Sequence, residues 1–312
     1  QNLSNWDVSN VTTMNRMFRD ADNFNQNLSN WDVSNVTTMN RMFFNADDFN
    51  GNISNWNVSS VRFMKGMFED ATSFNGNISN WDVSNVTDMN SMFEDATSFN
   101  QSLNNWNVSN VTNMNSMFED ATSFNQNLSN WNVSNVENMD LMFSGAKLST
   151  PNYDSLLIGW ANLSPHLQYN VPFDGGLSQY CLGETSKLSL NDTNGFNWNI
   201  TDGGKNCSGI DLTAPVITLL GDNPLTILVG DPYVEFGATV TDNVDQNLVA
   251  VINDSNVNTS RVGTYSVFYN VNDTAGNPAD QVVRTVNVVD QEKPLITLLG
   301  DNPLTILVGD PY

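Results

Sequence analysis

Apolar residues recur along the first half of the chain with a period of 25 residues. Tryptophan marks each copy, at positions Trp6, Trp31, Trp56, Trp81, Trp106 and Trp131. Within the copy at residues 77–101, Trp81 and Val83 alternate with polar residues, which is typical of a strand. The apolar residues between positions 86 and 96 are spaced by three and four. That spacing predicts a short helix or a few tight helical turns.

Six such copies follow one another without insertion or deletion in residues 1–148. Gapless repetition of this length predicts a solenoid, because one coil cannot bury its apolar face alone, whereas stacked coils bury it between them. We expect the six tryptophans to form an internal column, with the methionines filling the core around them. Asparagines before each tryptophan and after each closing phenylalanine are expected to form ladders that satisfy the turns.

Residues 149–210 lack the period and are predicted to form the C-terminal cap of the solenoid. A cap is needed because an open last coil exposes its core and its strand edge. Spacing favours a helix from Tyr153 to Leu163, and alternation favours a strand from Phe196 to Ile200. Cys181 and Cys207 lie in this segment and suggest a disulfide, with two free buried thiols as the alternative.

Residues 211–290 consist of short alternating runs rich in Val, Ile, Thr and Tyr, separated by turn signals such as GDNP and NDTAGNPAD. Roughly six or seven short strands of this kind predict an all-β sandwich. The stretch PLITLLGDNPLTILVGDPY, from Pro294, nearly copies the stretch from Pro215. Residues 291–312 are therefore expected to be the start of a second, truncated repeat. Its strands are expected to be held by further sequence, by the preceding sandwich, or by a neighbouring chain through strand addition.

The chain carries 34 acidic and 11 basic residues, a formal net charge of −23. This balance disfavours nucleic acid and anionic membranes as partners, because both need clustered lysine and arginine. It is consistent with a solvated acidic surface or with binding of divalent cations. No apolar run in the sequence is long enough to span a membrane.

Five aspartates of the predicted sandwich offer the hard oxygen ligands that calcium takes: Asp211, Asp242, Asp245, Asp273 and Asp290. They lack EF-hand spacing, so ordinary aspartate-rich turns are the alternative. No phosphate-binding loop, nucleophile elbow or HExxH motif occurs, and His166, the only histidine, has no cysteine nucleophile nearby in the sequence and no obvious serine triad. We therefore expect neither catalysis nor a cofactor other than calcium.

The phrases SNWDVSNVTDMNSMF and FNQNLSNW resemble the BspA-like surface repeat of bacterial lipoproteins and adhesins, over residues 1–146. The resemblance implies a leucine-rich-repeat-like solenoid, with short parallel strands and short helical turns, on a secreted or surface-anchored protein. The phrase VGTYSVFYNVNDTAGN resembles a bacterial Ig-like repeat of secreted adhesins, over residues 213–289. That family implies an Ig-like sandwich that acts as a spacer between a head domain and a cell.

We therefore expect a fragment of a large bacterial cell-surface or secreted protein with a structural and adhesive role. In this interpretation the solenoid makes contact and Ig-like repeats form its stalk. The expected partners are a host, a glycan, another surface ligand, or neighbouring copies of the chain in a filament. The alternative is a carbohydrate-binding accessory module of a secreted hydrolase, which exposed rows of Trp or Tyr would favour. Ice binding needs a regular threonine array, which Arg62 and Glu137 interrupt.

Overall fold

The computed structural model describes residues 2–300, 302–309 and 311. The chain divides into two compact units, Gln1–Ser208 and Gly209–Tyr312, which are described separately. The described residues form eight strands and two helices, together with a series of isolated β-bridges, so the chain is mostly β. Position 1 of the first repeat and positions 301, 310 and 312 of the predicted truncated repeat lie outside the described residues.

Consecutive copies of the repeat stack on one another with a shift of 25 residues. A continuous series of parallel β-bridges joins them, through Thr13, Thr38, Phe63, Asp88, Asn113 and Asn138. Backbone hydrogen bonds follow the same step: the Met39 N–H donates to the Phe63 carbonyl at 2.9 Å, and the Thr37 N–H donates to the Thr12 carbonyl at 2.9 Å. Each coil therefore satisfies its neighbour's backbone as well as covering its apolar side.

Tight turns, and not a short helix, follow the bridge in each described copy. In the fourth copy the backbone N–H groups alternate between two kinds of acceptor. Met92 donates within its own coil to Met89 at 3.2 Å, whereas Phe93 donates to Met117 of the next coil at 2.9 Å. Ser91 adopts a left-handed backbone with φ of 55°, which interrupts α-helical hydrogen bonding. Of the two expectations for this segment, tight turns are therefore the one found.

Five of the six repeat tryptophans, from Trp31 to Trp131, lie in the core with 1–3% of their surface exposed. Neighbouring indole rings in the first four copies stack with centroids 6.2–6.4 Å apart. Each buried indole N–H donates to a carbonyl of the preceding coil, as Trp81 Nε1 does to the Ile53 oxygen at 3.2 Å. The expectation of six internal rings is wrong for Trp6, which is 49% exposed because no described coil covers its outer side.

The residues after the sixth copy continue the stack with other elements. These are α1 (Thr150–Ala161), β1 (Pro172–Asp174), α2 (Glu184–Asn191) and β2 (Asn199–Thr201). Met139 of the last copy bridges in parallel to Phe173 of β1, and β1 pairs in parallel with β2. The indole N–H of Trp160 in α1 donates to the Leu128 carbonyl at 3.2 Å. A helix thus supplies the indole that a seventh coil would have supplied.

A disulfide and a buried carboxylate fix the loop before α2. Cys181 and Cys207 are bonded, with Cα atoms 4.9 Å apart, so the alternative of two free thiols is wrong. Asp154 of α1 is only 4% exposed. Its Oδ1 accepts the backbone N–H groups of Cys181 and Gly183 at 2.8 Å each, and its Oδ2 accepts that of Leu182 at 3.1 Å. Such charge-assisted bonds tie the loop to α1 beside the covalent link.

The described part of the second unit contains six strands. They are β3 (Val216–Leu219), β4 (Leu225–Leu228), β5 (Ala238–Thr241), β6 (Val251–Asn253), β7 (Gly263–Asn270) and β8 (Val282–Val289). β3 pairs antiparallel with β5. The second sheet has the order β4-β8-β7-β6, in which β4 lies parallel to β8 and the other pairs are antiparallel. Ile217 of β3, Val267 of β7 and Val286 of β8 share one apolar core.

A polar network lies in this second core and was not predicted from the sequence. Arg284 in β8 has no exposed surface. Its Nε donates to the Tyr269 hydroxyl at 2.9 Å, and its Nη2 donates to the Leu220 carbonyl at 2.5 Å. The Tyr269 hydroxyl donates in turn to Glu235 at 2.5 Å. Burial acts to raise the pKa of Glu235, but the hydrogen bonds from Tyr233, Tyr269 and the Gly237 N–H, together with the charge of Arg284, outweigh it, so this pKa lies below its ordinary value.

The described residues after Val289 form no strand. Leu295 and Leu299 are 91% and 98% exposed, although nearly the same sequence forms β3 and β4 earlier in the chain. Two expectations for residues 291–312 stay predictions: that they begin a second repeat, and that a strand of another chain pairs with them.

Candidate functional site

Three aspartates come together at one edge of the second unit. Asp211 precedes β3, Asp242 directly follows β5, and Asp245 lies in the loop after it. Because β3 and β5 pair antiparallel, with Val216 opposite Thr241, the chain before β3 and the chain after β5 lie at the same end of the strand pair. One oxygen from each of the three carboxylates lies within 4.8 Å of the others.

Hydrogen bonds hold these carboxylates but leave two oxygens free. Asp242 Oδ1 accepts the N–H groups of Asp245 at 2.8 Å and Val244 at 2.9 Å, and these two bonds lower the pKa of Asp242. Asp245 accepts the Thr274 N–H at 2.6 Å and its hydroxyl at 2.8 Å. The Oδ2 atoms of Asp211 and Asp242 are buried without a hydrogen-bond partner among the described residues. Unpaired carboxylate oxygens beside a third carboxylate form a donor set that suits calcium.

The other two predicted calcium ligands lie outside this cluster in the described structure. Asp273 is 7% exposed, and its two oxygens accept the backbone and side-chain N–H groups of Asn277 at 2.7 Å each. Asp290 accepts the backbone N–H of Glu292 at 2.9 Å. Both carboxylates stabilise turns, in the way that aspartate-rich turns do. The structure therefore brings together three of the five predicted calcium ligands, and calcium binding by Asp273 and Asp290 stays a prediction.

The stacked repeats present a second candidate surface, along the series of β-bridges. We define the ladder face as the side chains that occupy, in every copy, the positions equivalent to Thr12, Thr13 and Asn15. The Thr37 hydroxyl donates to the Thr12 carbonyl at 3.1 Å, and the Thr38 hydroxyl donates to Asn15 Oδ1 at 2.7 Å. Bonds of this kind between coils fix the side chains of the ladder face before any partner binds.

The first three copies carry a cationic depression at the ladder face. Arg16, Arg41 and Lys65, with Asn15 and Asn40, line a depression of about 630 Å³. Five of the 11 basic residues fall within residues 16–65. Sequence analysis missed this site because the net charge of the chain conceals a local cluster. The signal was present in the third copy, which reads VRFMKG where the first two copies read VTTMNR and the fourth reads VTDMNS.

Comparison with known protein families relates both units to bacterial proteins. The repeats match the family described as Mycoplasma protein of unknown function, DUF285, over residues 1–86 and 52–156, which together make half of the chain. The chain belongs to this family. The match does not name the BspA-like repeat, with which the family is compatible.

The second unit matches a different family. Residues 217–288 match the bacterial surface protein Ig-like domain, so the chain contains a domain of bacterial surface proteins. Among curated proteins and solved structures no match to the chain was found. In the described part of the chain, neither helix has the length and apolar character needed to cross a membrane.

Proposed function

We propose that the chain belongs to a bacterial cell-surface or secreted protein with a structural and adhesive role, and that it performs no catalysis. In this proposal the repeats form a leucine-rich-repeat-like solenoid that makes contact, and residues 149–210 cap it. Residues 211–290 form an Ig-like sandwich of the stalk. The observation that carries the proposal is the match of residues 217–288 to a bacterial surface-protein domain.

The construction of the repeats supports a contact-making role. Their large aromatic side chains serve the core, as the 3% exposure of Trp81 illustrates. The polar side chains of the ladder face are held by bonds between coils, such as that from Thr38 to Asn15. A surface ordered in advance loses less conformational entropy on binding, and therefore binds more tightly for the same contacts.

A carbohydrate-binding accessory module of a secreted hydrolase is the second candidate. The row of exposed tryptophans that would favour it is absent from Trp31 to Trp131, whose rings are buried. One observation still favours it: the ring of Phe63 is 45% exposed on the ladder face, close in sequence to the polar residues of the depression.

The proposal is tested by coupling the full chain to beads and measuring their retention on coated surfaces. The coatings are glycans, extracellular-matrix proteins and insoluble polysaccharide. The control is the double variant Thr12→Glu, Thr37→Glu, which places on the ladder face of the first two copies the residue that Glu137 supplies in the sixth copy. We expect retention on one coated surface and its reduction in the control. Retention on insoluble polysaccharide alone favours the accessory module, and no retention on any surface contradicts adhesion.

A further inference from the structure

Two of the three cations in the depression have no ionic partner among the described residues. Arg41 pairs with Glu69, with 3.3 Å between Nε and Oε2, whereas Arg16 and Lys65 form no ion pair. The opposite charges of Arg41 and Glu69 offset each other in this pair. The net positive charge of the depression therefore comes from Arg16 and Lys65.

Gly66 allows this arrangement in the third copy. The equivalent position holds Arg16 and Arg41 in the first two copies, and all three residues have a left-handed backbone. A Cβ atom on Gly66 would lie 2.3 Å from Glu69 Oε2 and 3.0 Å from Arg41 Cγ. The Arg41–Glu69 pair thus fills the space that a side chain of the third coil would need, next to Lys65 in the sequence.

Phe63 and Lys65 are not required for stacking. The first two copies hold threonine and asparagine at these positions and make the same bonds between coils: Met14 donates to the Thr38 carbonyl at 3.0 Å, and Met39 donates to the Phe63 carbonyl at 2.9 Å. The Phe63 side chain is 45% exposed, so the change from threonine leaves nearly half of a large ring in contact with water. An exposed ring and a cation that the fold does not need point to a ligand.

We propose that this depression binds an acidic sugar residue of a glycan, one that bears a carboxylate or a sulfate. The inference rests on the proposed adhesive function and names its ligand class. Arg16 and Lys65 pair with the acid group through charge-assisted hydrogen bonds. Phe63 is not one of the residues that line the depression, but it lies two positions before Lys65 on the ladder face. There its exposed ring offers an apolar surface to the C–H side of the sugar ring, in keeping with the mixture of aromatic and polar groups in ligand sites.

The two asparagines of the depression have donors to spare for sugar hydroxyls. Asn15 Oδ1 accepts the Asn40 N–H at 2.9 Å, and Asn40 Oδ1 accepts the Lys65 N–H at 2.9 Å. These bonds use the carbonyl oxygen of each side chain. Among the residues that the structure describes, the Nδ2 group of each amide has no hydrogen-bond partner and can donate to a ligand oxygen.

The charge of the neighbouring coils limits the ligand to one or two acid groups. Residues 66–146 contain no lysine or arginine, and they carry repeated acid pairs such as Glu94 and Asp95. The ladder face itself carries Asp88, Glu137 and Asp140 in the later copies, so a long polyanion lying along it is repelled. Nucleic acid is disfavoured for the same reason, since its affinity depends on many cations along the strand.

Calorimetric titration of the full chain with sialyllactose and with lactose 3-sulfate tests the inference, each against lactose as the neutral partner. The two acidic ligands separate a carboxylate from a sulfate. Arg16→Ser and Lys65→Asn restore residues found in other copies, and therefore keep the fold. Lys147→Asn is the matched control, because it removes one charge from an exposed side chain outside the depression.

We expect at least one acidic ligand to bind about tenfold more tightly than lactose, and the double variant Arg16→Ser, Lys65→Asn to lose this advantage. Lys147→Asn is expected to bind the acidic ligands as tightly as the wild type does. Phe63→Thr is expected to bind them more weakly than the wild type does. Equal affinity for lactose and both acidic ligands, or unchanged affinity in the double variant, overturns the inference. So does tighter binding of a single-stranded oligonucleotide. Retention on neutral glycans then still supports adhesion, which only the bead experiment can contradict.

Discussion

The tryptophan column gives the sharpest test of the stacked repeats, because the chain contains a matched control. Trp81 is 3% exposed and its indole N–H is bonded to Ile53, whereas Trp6, in an almost identical sequence, is 49% exposed. A buried tryptophan removes roughly 150–250 Å² from water, which corresponds to about 4–6 kcal/mol as an upper bound. Measured truncations of large core side chains cost about 3–5 kcal/mol.

We therefore expect Trp81→Ala to lower the free energy of unfolding of the repeats by about 4 kcal/mol, and Trp6→Ala by about 1 kcal/mol. Trp81→Phe keeps a ring but removes one of the two hydrogen bonds that the Ile53 carbonyl accepts, the other coming from the Trp56 N–H, and is expected to cost about 1 kcal/mol. Urea unfolding followed by circular dichroism measures all three, with the denaturant slope as the check on cooperativity. Equal losses for Trp81→Ala and Trp6→Ala would refute the stacked column.

Four further outcomes follow from the structure. Cys207→Ser is expected to lower the free energy of unfolding of the first unit by about 2–4 kcal/mol. Arg284→Met leaves the partners of the guanidinium unpaired and is expected to lower that of the second unit by about 3–5 kcal/mol. Urea unfolding measures both, and a variant as stable as the wild type contradicts its prediction. Calcium is expected to raise the Tm of the second unit but not in Asp242→Asn; identical melting in calcium and in EDTA contradicts the site. Because the pKa of folded Glu235 is lowered, its stabilisation is present at neutral pH and is lost as pH falls below about 4. The raised pKa of Glu69 acts oppositely: this group destabilises the repeats at neutral pH, and the loss is recovered as pH falls. Calorimetry at falling pH should therefore show a smaller recovery of the melting temperature of the repeats in Glu69→Gln than in the wild type.

The periodic part of the fold was predictable because its signal is repeated six times in the sequence. The phase of Trp81 and its apolar neighbours was enough to place them in a core. The same periodicity does not separate a helix from tight turns, because both place side chains three and four residues apart. What decides between them is the left-handed backbone of Ser91, and serine carries no strong sequence signal for that conformation.

The non-periodic features were less predictable, because they depend on residues far apart in the chain. The disulfide partners were suggested by an even cysteine count, but the support from Asp154 to the Cys181 loop spans 27 residues. The contacts of Arg284 reach the Leu220 carbonyl across 64 residues. Pairing of β3 with β5 selected Asp211 and Asp242 from five equivalent-looking aspartates. Sequence alone ranks such candidates by chemistry, and only the strand register ranks them by position.

Exact repetition of the sequence would also create repulsion between like charges, and the sequence differences between copies reduce this repulsion. Stacking identical coils places like charges above one another: Glu94 has its pKa raised mainly by burial and further by Glu119 and Asp95. In the second and third copies this repulsion is reduced, because Arg41 lies against Glu69 at 3.3 Å. Arg41 therefore has a structural reason to be present. Arg16 and Lys65 have no such reason among the described contacts, and in a chain of formal charge −23 their position on one face is best explained by a ligand.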